Sequence, residues 1–250
     1  MSQRPLLLVT GGSRGIGAAV SLKAAQAGYD LVINYRSDHA AAEAVAEAAR
    51  HAGARVLLRA GDMAKEDDIA ALFAAVDDFG RLTHLVNNAG ITGKSGRLAD
   101  TDPAVIRETI DVNVTGAILV AREAVKRLST RLGGLGGAIV NMSSAAATLG
   151  SPGEYVWYAA SKAAIDGLTY GLARELATEG VRVNAIQPGM VDTEIHARST
   201  GDAGRVERIR PSIPMQRIGA ADEIADATLY LLSEAASYVT GSILRVAGGR

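Results

Sequence analysis

The chain has 250 residues, 48% of them hydrophobic and 21% charged, so it is long enough to bury a substantial core and too apolar to be mainly disordered. A formal net charge of -1 gives no electrostatic reason to expect nucleic acid or an acidic membrane as partner. The absence of cysteine excludes disulfides, thiolate catalysis and thiolate metal sites, and His39, His51, His84 and His196 lack ligand spacing, so no metal site is expected.

Met1 to Pro5 leads directly into a strand-like run, with no apolar leader and no stretch of membrane length, and a cytoplasmic protein is expected. Leu6 to Thr10 is a continuous apolar run too short for a helix, which predicts a strand buried on both faces and hence a parallel sheet. Gly11-Gly12-Ser13-Arg14-Gly15-Ile16-Gly17 follows and passes into an alanine-rich helix, Ala18 to Ala27, stopped by Gly28. A strand, glycine turn and helix in this order let backbone approach a pyrophosphate and aim the helix N-terminus at it. Tight packing of helix on strand would use the same glycines.

Leu31 to Tyr35 is the second strand, and its end is where a dinucleotide-binding fold meets the adenosine ribose. The acid that would accept ribose hydroxyls is missing there. Arg36 follows instead, and with Arg14 it can flank a 2′-phosphate, which favours NADP(H) while leaving NAD(H) possible. His39 to His51 has helical composition and Gly53 stops it, and Arg55 to Ala60 is a third strand closed by Gly61-Asp62-Met63. Glu66, Asp67 and Asp68 load the first turn of the next helix, which runs to about Gly80. Thr83 to Val86 is the fourth strand and ends in Asn87-Asn88-Ala89-Gly90, a tetrad able to cap backbone or to bind a ligand edge.

Pro103 to Asp111 and Val112 to Arg131 read as two helical segments with Asn113 near their junction. Gly133 to Gly137 reads as a flexible connector, and Ala138 to Met142 as the fifth strand, closed by Ser143-Ser144. Glu154 to Thr178 has helical character. Within it Tyr158 and Lys162 stand four positions apart, so phenol and ammonium lie on one helix face and can address the same small volume. Free tyrosine ionises near pH ~10, and bringing it to neutrality takes roughly 4 kcal/mol of preferential stabilisation of the phenolate, for which a desolvated ammonium is the natural source. On spacing alone, Tyr155, Trp157 and Tyr158 could equally form an aromatic core patch beside a solvated Lys162. Val181 to Gln187 is the sixth strand, followed by Pro188-Gly189-Met190-Val191-Asp192-Thr193. Residues 190–215, and Glu194 to Pro214 above all, are polar, with glycine and many arginines and glutamates, and read as a mobile substrate lid. Asp222 to Leu232 is a last amphipathic helix and Ile243 to Val246 a seventh strand.

The order of these motifs resembles the short-chain dehydrogenase/reductase family over Leu6 to Gly249. The resemblance rests on Thr10-Gly11-Gly12-Ser13-Arg14-Gly15-Ile16-Gly17, Asn87-Asn88-Ala89-Gly90, Asn113, Ser143-Ser144, Tyr158 with Lys162, and Pro188-Gly189, in that order. It is nearest to the NADP-preferring branch holding 3-oxoacyl-carrier-protein reductases and bacterial sugar dehydrogenases, and Gly150 to Val156 looks like glucose-dehydrogenase-type members. The resemblance implies one doubly wound α/β Rossmann domain over 1–250, with a seven-stranded parallel sheet of order 3-2-1-4-5-6-7 and helices on both faces. Its cofactor half would be about 1–135 and its catalytic and substrate half about 136–250.

It further implies that Asn113, Ser144, Tyr158 and Lys162 are catalytic, with Ser143 as the alternative to Ser144. The backbone carbonyl of Asn113 would hold a water touching Lys162. Gly11, Ser13, Arg14, Gly15, Ile16 and Gly17 would bind cofactor, with Arg36, Asp62 and Met63 on the adenosine side and Asn87, Ala89 and Gly90 behind it. Tyr158, Lys162, Pro188, Gly189, Val191 and Thr193 would hold the nicotinamide end, Val191 and Thr193 through the carboxamide. The implied reaction moves hydride between NADP(H) and a small-molecule alcohol or ketone, either a 3-oxoacyl thioester or a sugar or polyol, and the implied assembly is a homotetramer. A catalytically silent NADP(H) sensor is the alternative outside enzymes, and the presence of Tyr158, Lys162 and Ser144 argues against it.

Overall fold

The computed structural model describes residues 4–193 and 204–250. Seven parallel strands, β1 (Leu6–Val9), β2 (Asp30–Tyr35), β3 (Val56–Ala60), β4 (Leu82–Asn87), β5 (Gly137–Met142), β6 (Val181–Pro188) and β7 (Ile243–Val246), form one sheet of order β3-β2-β1-β4-β5-β6-β7. This is the expected order. It reverses between β1 and β4, so the helices that follow these two strands diverge and leave a crevice at their carboxyl ends.

Alternation along the strands distributes the core over both faces. Leu7, Val9, Leu31 and Ile33 pack on one side with helix α1 (Gly15–Gln26), α2 (His39–His51) and the late helix Ala221–Leu232. Leu6, Leu8, Val32 and Leu85 face the other side, against α3 (Glu66–Phe79) and α5 (Ala117–Leu128), which is preceded by α4 (Pro103–Ile110). Both faces of β1 and β2 are buried throughout, which is why their sequences are continuously apolar rather than alternating.

Several local expectations are corrected. The first helix starts at Gly15, inside the glycine turn rather than at Ala18. The two segments around Asn113 are joined through a π-helical turn, Asp111–Gly116, whose wider bore lets Asn113 leave the helical ladder. Gly133 to Gly137 is not a flexible connector: Gly134, Gly136 and Gly137 donate backbone hydrogen bonds to Ser129, Leu128 and Gly180, and a Cβ on Gly137 would lie 1.8 Å from the Thr83 carbonyl oxygen. Between β5 and the long helix α7 (Val156–Glu175) stands a four-residue helix, α6 (Ala146–Leu149), with no periodicity to announce it. Part of the expected lid, residues 194–203, lies outside the described residues. The rest holds a short helix, α8 (Arg205–Ile209), and is anchored by buried Arg205 and Ile213, so it is no simple polar excursion. The helix Ala221–Leu232 is α9.

Gly116 closes the π turn where α5 crosses the end of β3, and a Cβ there would stand 1.9 Å from the Met63 carbonyl oxygen. Gly116→Ala is therefore expected to destabilise the chain by about 3 kcal/mol through overpacking. That corresponds to a fall of roughly 6–12 °C in thermal melting for a chain of this size. An unchanged melting temperature would show that the two backbones have room to separate.

Candidate active site

The carboxyl ends of β1 and β4 are stitched together by side chains. The Thr10 hydroxyl accepts from the Asn88 and Ala89 amides at 2.9 and 3.0 Å, and Asn88 Nδ2 donates to the Thr10 and Gly11 carbonyls at 2.9 and 3.1 Å. Asn34, buried in β2, accepts from the Gly11 amide at 3.3 Å and donates to the Gly61 carbonyl at 3.0 Å, tying the turn to β3 as well. Within the turn Gly11 and Gly15 adopt φ of 62° and 50°, and a Cβ on Gly17 would fall 2.3 Å from the Gly11 carbonyl oxygen. Only glycine satisfies these positions without strain. The first turn of α1 carries no acidic residue, so its amides and dipole present an unopposed positive end.

That end opens on a cavity of ≈ 470 Å³ lined by Gly11, Arg14, Gly15, Ile16, Gly17, Arg36, Ala89 and Gly90 among others. Arg14 is ion-paired with Asp38, and Arg36 stands 3.8 Å from Glu108 with both side chains largely exposed. Exposed pairs of this kind contribute about 0–1 kcal/mol, so a phosphate can compete with them. Of the residues expected at this end, Ser13, Asp62, Met63 and Asn87 do not line the cavity. The Asp62 carboxylate caps the Ala64 amide at 3.0 Å, Met63 is packed into the core, and Asn87 Nδ2 donates to the Ala117 carbonyl at 2.9 Å. Asn88, whose side chain faces the turn, lines the cavity instead.

Ile16, Asn88, Gly90, Thr92 and Thr193 are shared with a second cavity of ≈ 380 Å³, so the two adjoin. The second is lined by Ser144, Tyr158 and Lys162, by Pro188, Gly189 and Val191, and by an apolar wall that includes Leu149, Tyr155, Met190 and Ile209. The two serines differ in their hydrogen bonds. Ser143 is buried with its hydroxyl donating to the Lys162 carbonyl at 3.1 Å, whereas the Ser144 hydroxyl accepts from the Ala146 amide at 3.1 Å and lines the second cavity together with Tyr158. Asn113 Nδ2 donates to the Ile91 carbonyl at 2.7 Å and to the Ser161 hydroxyl at 3.0 Å, while its Oδ1 accepts from the Ile91 amide at 2.8 Å. It thereby joins the π turn, the segment after β4 and α7. Buried Trp157 donates from Nε1 to the Thr92 carbonyl at 2.9 Å and fixes the same segment from the other side.

Electrostatically the site departs from the simplest expectation. Lys162 is 5% exposed, its Nζ donates to the Met142 carbonyl at 2.7 Å, and it lies 5.7 Å from the Tyr158 ring centroid. Burial lowers its pKa to about 8 against the opposing pull of Asp166, one turn further along α7, so it still carries its charge at neutral pH. The Tyr158 phenol is pushed up by burial, and the group that draws it back is Ser144, not Lys162. The two helix residues thus share one cavity as their spacing predicts, but the phenol here is held in its protonated form. At the cavity's far wall Arg205 pairs with Glu154, which its guanidinium holds below the usual carboxylate range. Neither Glu154, Tyr155 nor Arg205 was singled out for the site by its sequence setting. No group of three His, Cys, Asp or Glu able to hold a metal ion occurs among the described residues.

A family model described as enoyl-(acyl carrier protein) reductase matches residues 11–250. The chain is 49% identical over 246 residues to the uncharacterised oxidoreductase YgfF of Escherichia coli K12, covering 98% of this chain and 99% of that protein. Among solved structures it is similar to a short-chain dehydrogenase from Burkholderia cenocepacia in complex with NADP, with a TM-score of 0.90, 35% identity and coverage of 99% and 97% of the two chains. It is also similar to the 3-ketoacyl-(acyl-carrier-protein) reductase of Brucella melitensis complexed with NADH, with a TM-score of 0.90, 34% identity and 98% coverage of each chain.

Proposed function

The chain belongs to the short-chain dehydrogenase/reductase family, and from that membership we propose that it is an NADP(H)-dependent oxidoreductase acting on a carbonyl or secondary alcohol through Ser144, Tyr158 and Lys162. One observation carries the reading: the cavity that gathers those three side chains adjoins the one built on the glycine turn and shares five lining residues with it. The donor set suits a dinucleotide along its length. Glycine backbone and the α1 N-terminus suit the pyrophosphate, Arg14 and Arg36 a 2′-phosphate, and Val191 and Thr193 a carboxamide; NAD(H) would use the same groove with less help from the arginines. The bound nicotinamide supplies or accepts the hydride.

The chain's own part is to manage one proton and one oxygen. In reduction Tyr158 donates its phenolic proton to the substrate oxygen, and Ser144 holds that oxygen by a hydrogen bond. In oxidation Tyr158 receives the proton. Lys162 contributes a buried positive charge beside both, and Asn113 keeps the backbone around Ile91 and Ser161 in place and would present its carbonyl to a water reaching Lys162. Residues 1–250 would work as one domain, its cofactor half about 1–135 and its catalytic half beyond.

The apolar residues Leu149, Met190, Val191 and Ile209 on one wall support a ketone with an apolar body, such as a 3-oxoacyl thioester, while Ser151, Glu154, Arg205 and Arg250 on the same lining keep a sugar or polyol as the second reading. A homotetramer is supported by exposed small residues on α7, with open space beyond Gly167 and Gly171, and by exposed Tyr230, Tyr238 and Leu244 around β7. Among the described residues no helix is long and apolar enough to cross a membrane. The test is NADPH and NADH oxidation against ketones, diketones, aldoses and 3-oxoacyl thioesters. Turnover with NADPH and apolar ketones is expected. Inertness across the whole panel would favour a silent NADP(H) sensor.

A further inference from the structure

We infer that Glu154 is a positioning residue: its bidentate ion pair with buried Arg205 pins the short helix α8 against the start of α7 and completes the wall on which substrate binds. The inference rests on the reading of the second cavity as the substrate site.

Arg205 is 4% exposed, and its fork meets the carboxylate in bidentate fashion, Nε to Oε1 at 3.1 Å and Nη2 to Oε2 at 2.7 Å. Nη2 also donates to the Tyr155 hydroxyl, and the guanidinium stands 5.5 Å from that ring's centroid, within the range of a cation–π contact. The Tyr155 ring in turn meets Tyr158 edge-on at 5.6 Å and 89°. Contact therefore runs without a gap from α8 through Tyr155 to the phenol. The main chain of Glu154 is occupied as well, its carbonyl accepting from the Gly96 amide at 2.7 Å, so the segment after β4, the entry to α7 and α8 meet at this one residue.

Two physical facts make the carboxylate decisive. A helix of five residues has too few internal hydrogen bonds to hold itself. A guanidinium at this depth is tolerated only while its charge is compensated. Without the carboxylate the bidentate hold on α8 is lost and the helix is expected to loosen, which takes Arg205 and Ile209 off the cavity wall. Ser144 and Tyr158 hang on the end of β5 and on α7 and keep their places. The loss should fall on substrate affinity more than on the chemical step.

Glu154→Gln is expected to raise KM for ketone by about tenfold, with a smaller fall in kcat and little change in NADPH affinity. Amide hydrogen exchange should accelerate over residues 205–213 and not over 156–175. Glu154→Asp, which keeps the charge on a shorter arm, should show a smaller rise in both exchange and KM than Glu154→Gln; this variant also serves if Glu154→Gln folds poorly. Unchanged exchange in Glu154→Gln overturns the inference, as does faster exchange with an unaltered KM. The exchange measurement needs no substrate, so a protein inert to every carbonyl would defeat the enzymatic reading while leaving the ion pair's part in holding α8 to be judged separately.

Discussion

Tyr158→Phe is expected to lower kcat by about 10³-fold while leaving NADPH affinity within a few-fold. A positioned acid or base contributes roughly 10²–10⁴-fold, and the Tyr158 phenol lines the second cavity together with Ser144 and Lys162. The substitution is nearly isosteric: phenylalanine keeps the edge-on contact with Tyr155 and the shape of the wall, so loss of activity cannot be put down to collapse of the site. Cofactor affinity should survive because the glycine turn, Arg14 and Arg36 line the other cavity. Because burial raises the phenol above its ordinary range near pH ~10, it is protonated throughout neutral pH. Reduction should therefore show no tyrosine-linked fall between pH 6 and 8 on that scale, and oxidation should climb as the solution becomes alkaline. Steady-state kinetics in both directions with a cofactor titration read all of this. Unchanged turnover in the variant would reject Tyr158 as the proton donor.

Arg36→Asp is expected to move the ratio of kcat/KM with NADPH to that with NADH by about 100-fold toward NADH. A hydrogen bond to a charged group is worth about 1.5–3 kcal/mol, and each 1.4 kcal/mol is tenfold. The new carboxylate adds repulsion of the 2′-phosphate and an acceptor for ribose hydroxyls. Arg36 gives up little in return, since its pairing with Glu108 at 3.8 Å is solvent-exposed. Arg14 remains at the opposite side of the same cavity, so the variant should retain measurable NADPH use. A cofactor ratio that does not move would place the phosphate clamp elsewhere.

The fold was legible because the strands are short, mostly apolar runs, several of them closed by glycine, asparagine or serine, and because helices such as α1 and α2 are alanine-rich and followed by glycine. Boundaries shifted where glycine belongs to an element instead of ending it, as at Gly15, or packs against backbone, as at Gly134 and Gly137. The meeting of Ser144, Tyr158 and Lys162 in one cavity could be anticipated from helical spacing and from a serine at a strand end. Which serine turns toward the phenol could not, because strand alternation sends Ser143 inward and Ser144 outward only once the register of β5 is known. The same limit hid Asn88 behind Asn87. Desolvation raises the phenol's pKa, and no local pattern in the sequence reports how far from water a helix side chain will lie. Glu154 and Arg205 lie 51 positions apart, and no local pattern links them.

Trp157 is the chain's only tryptophan, is buried, and bonds a carbonyl in the wall common to both cavities one residue before the phenol. The indole fluorescence of the whole molecule thus originates beside the place where a reduced nicotinamide, which absorbs in the near ultraviolet, would lie. Nature has installed a single optical reporter there, and quenching of its emission can follow occupancy of the groove in real time without any label.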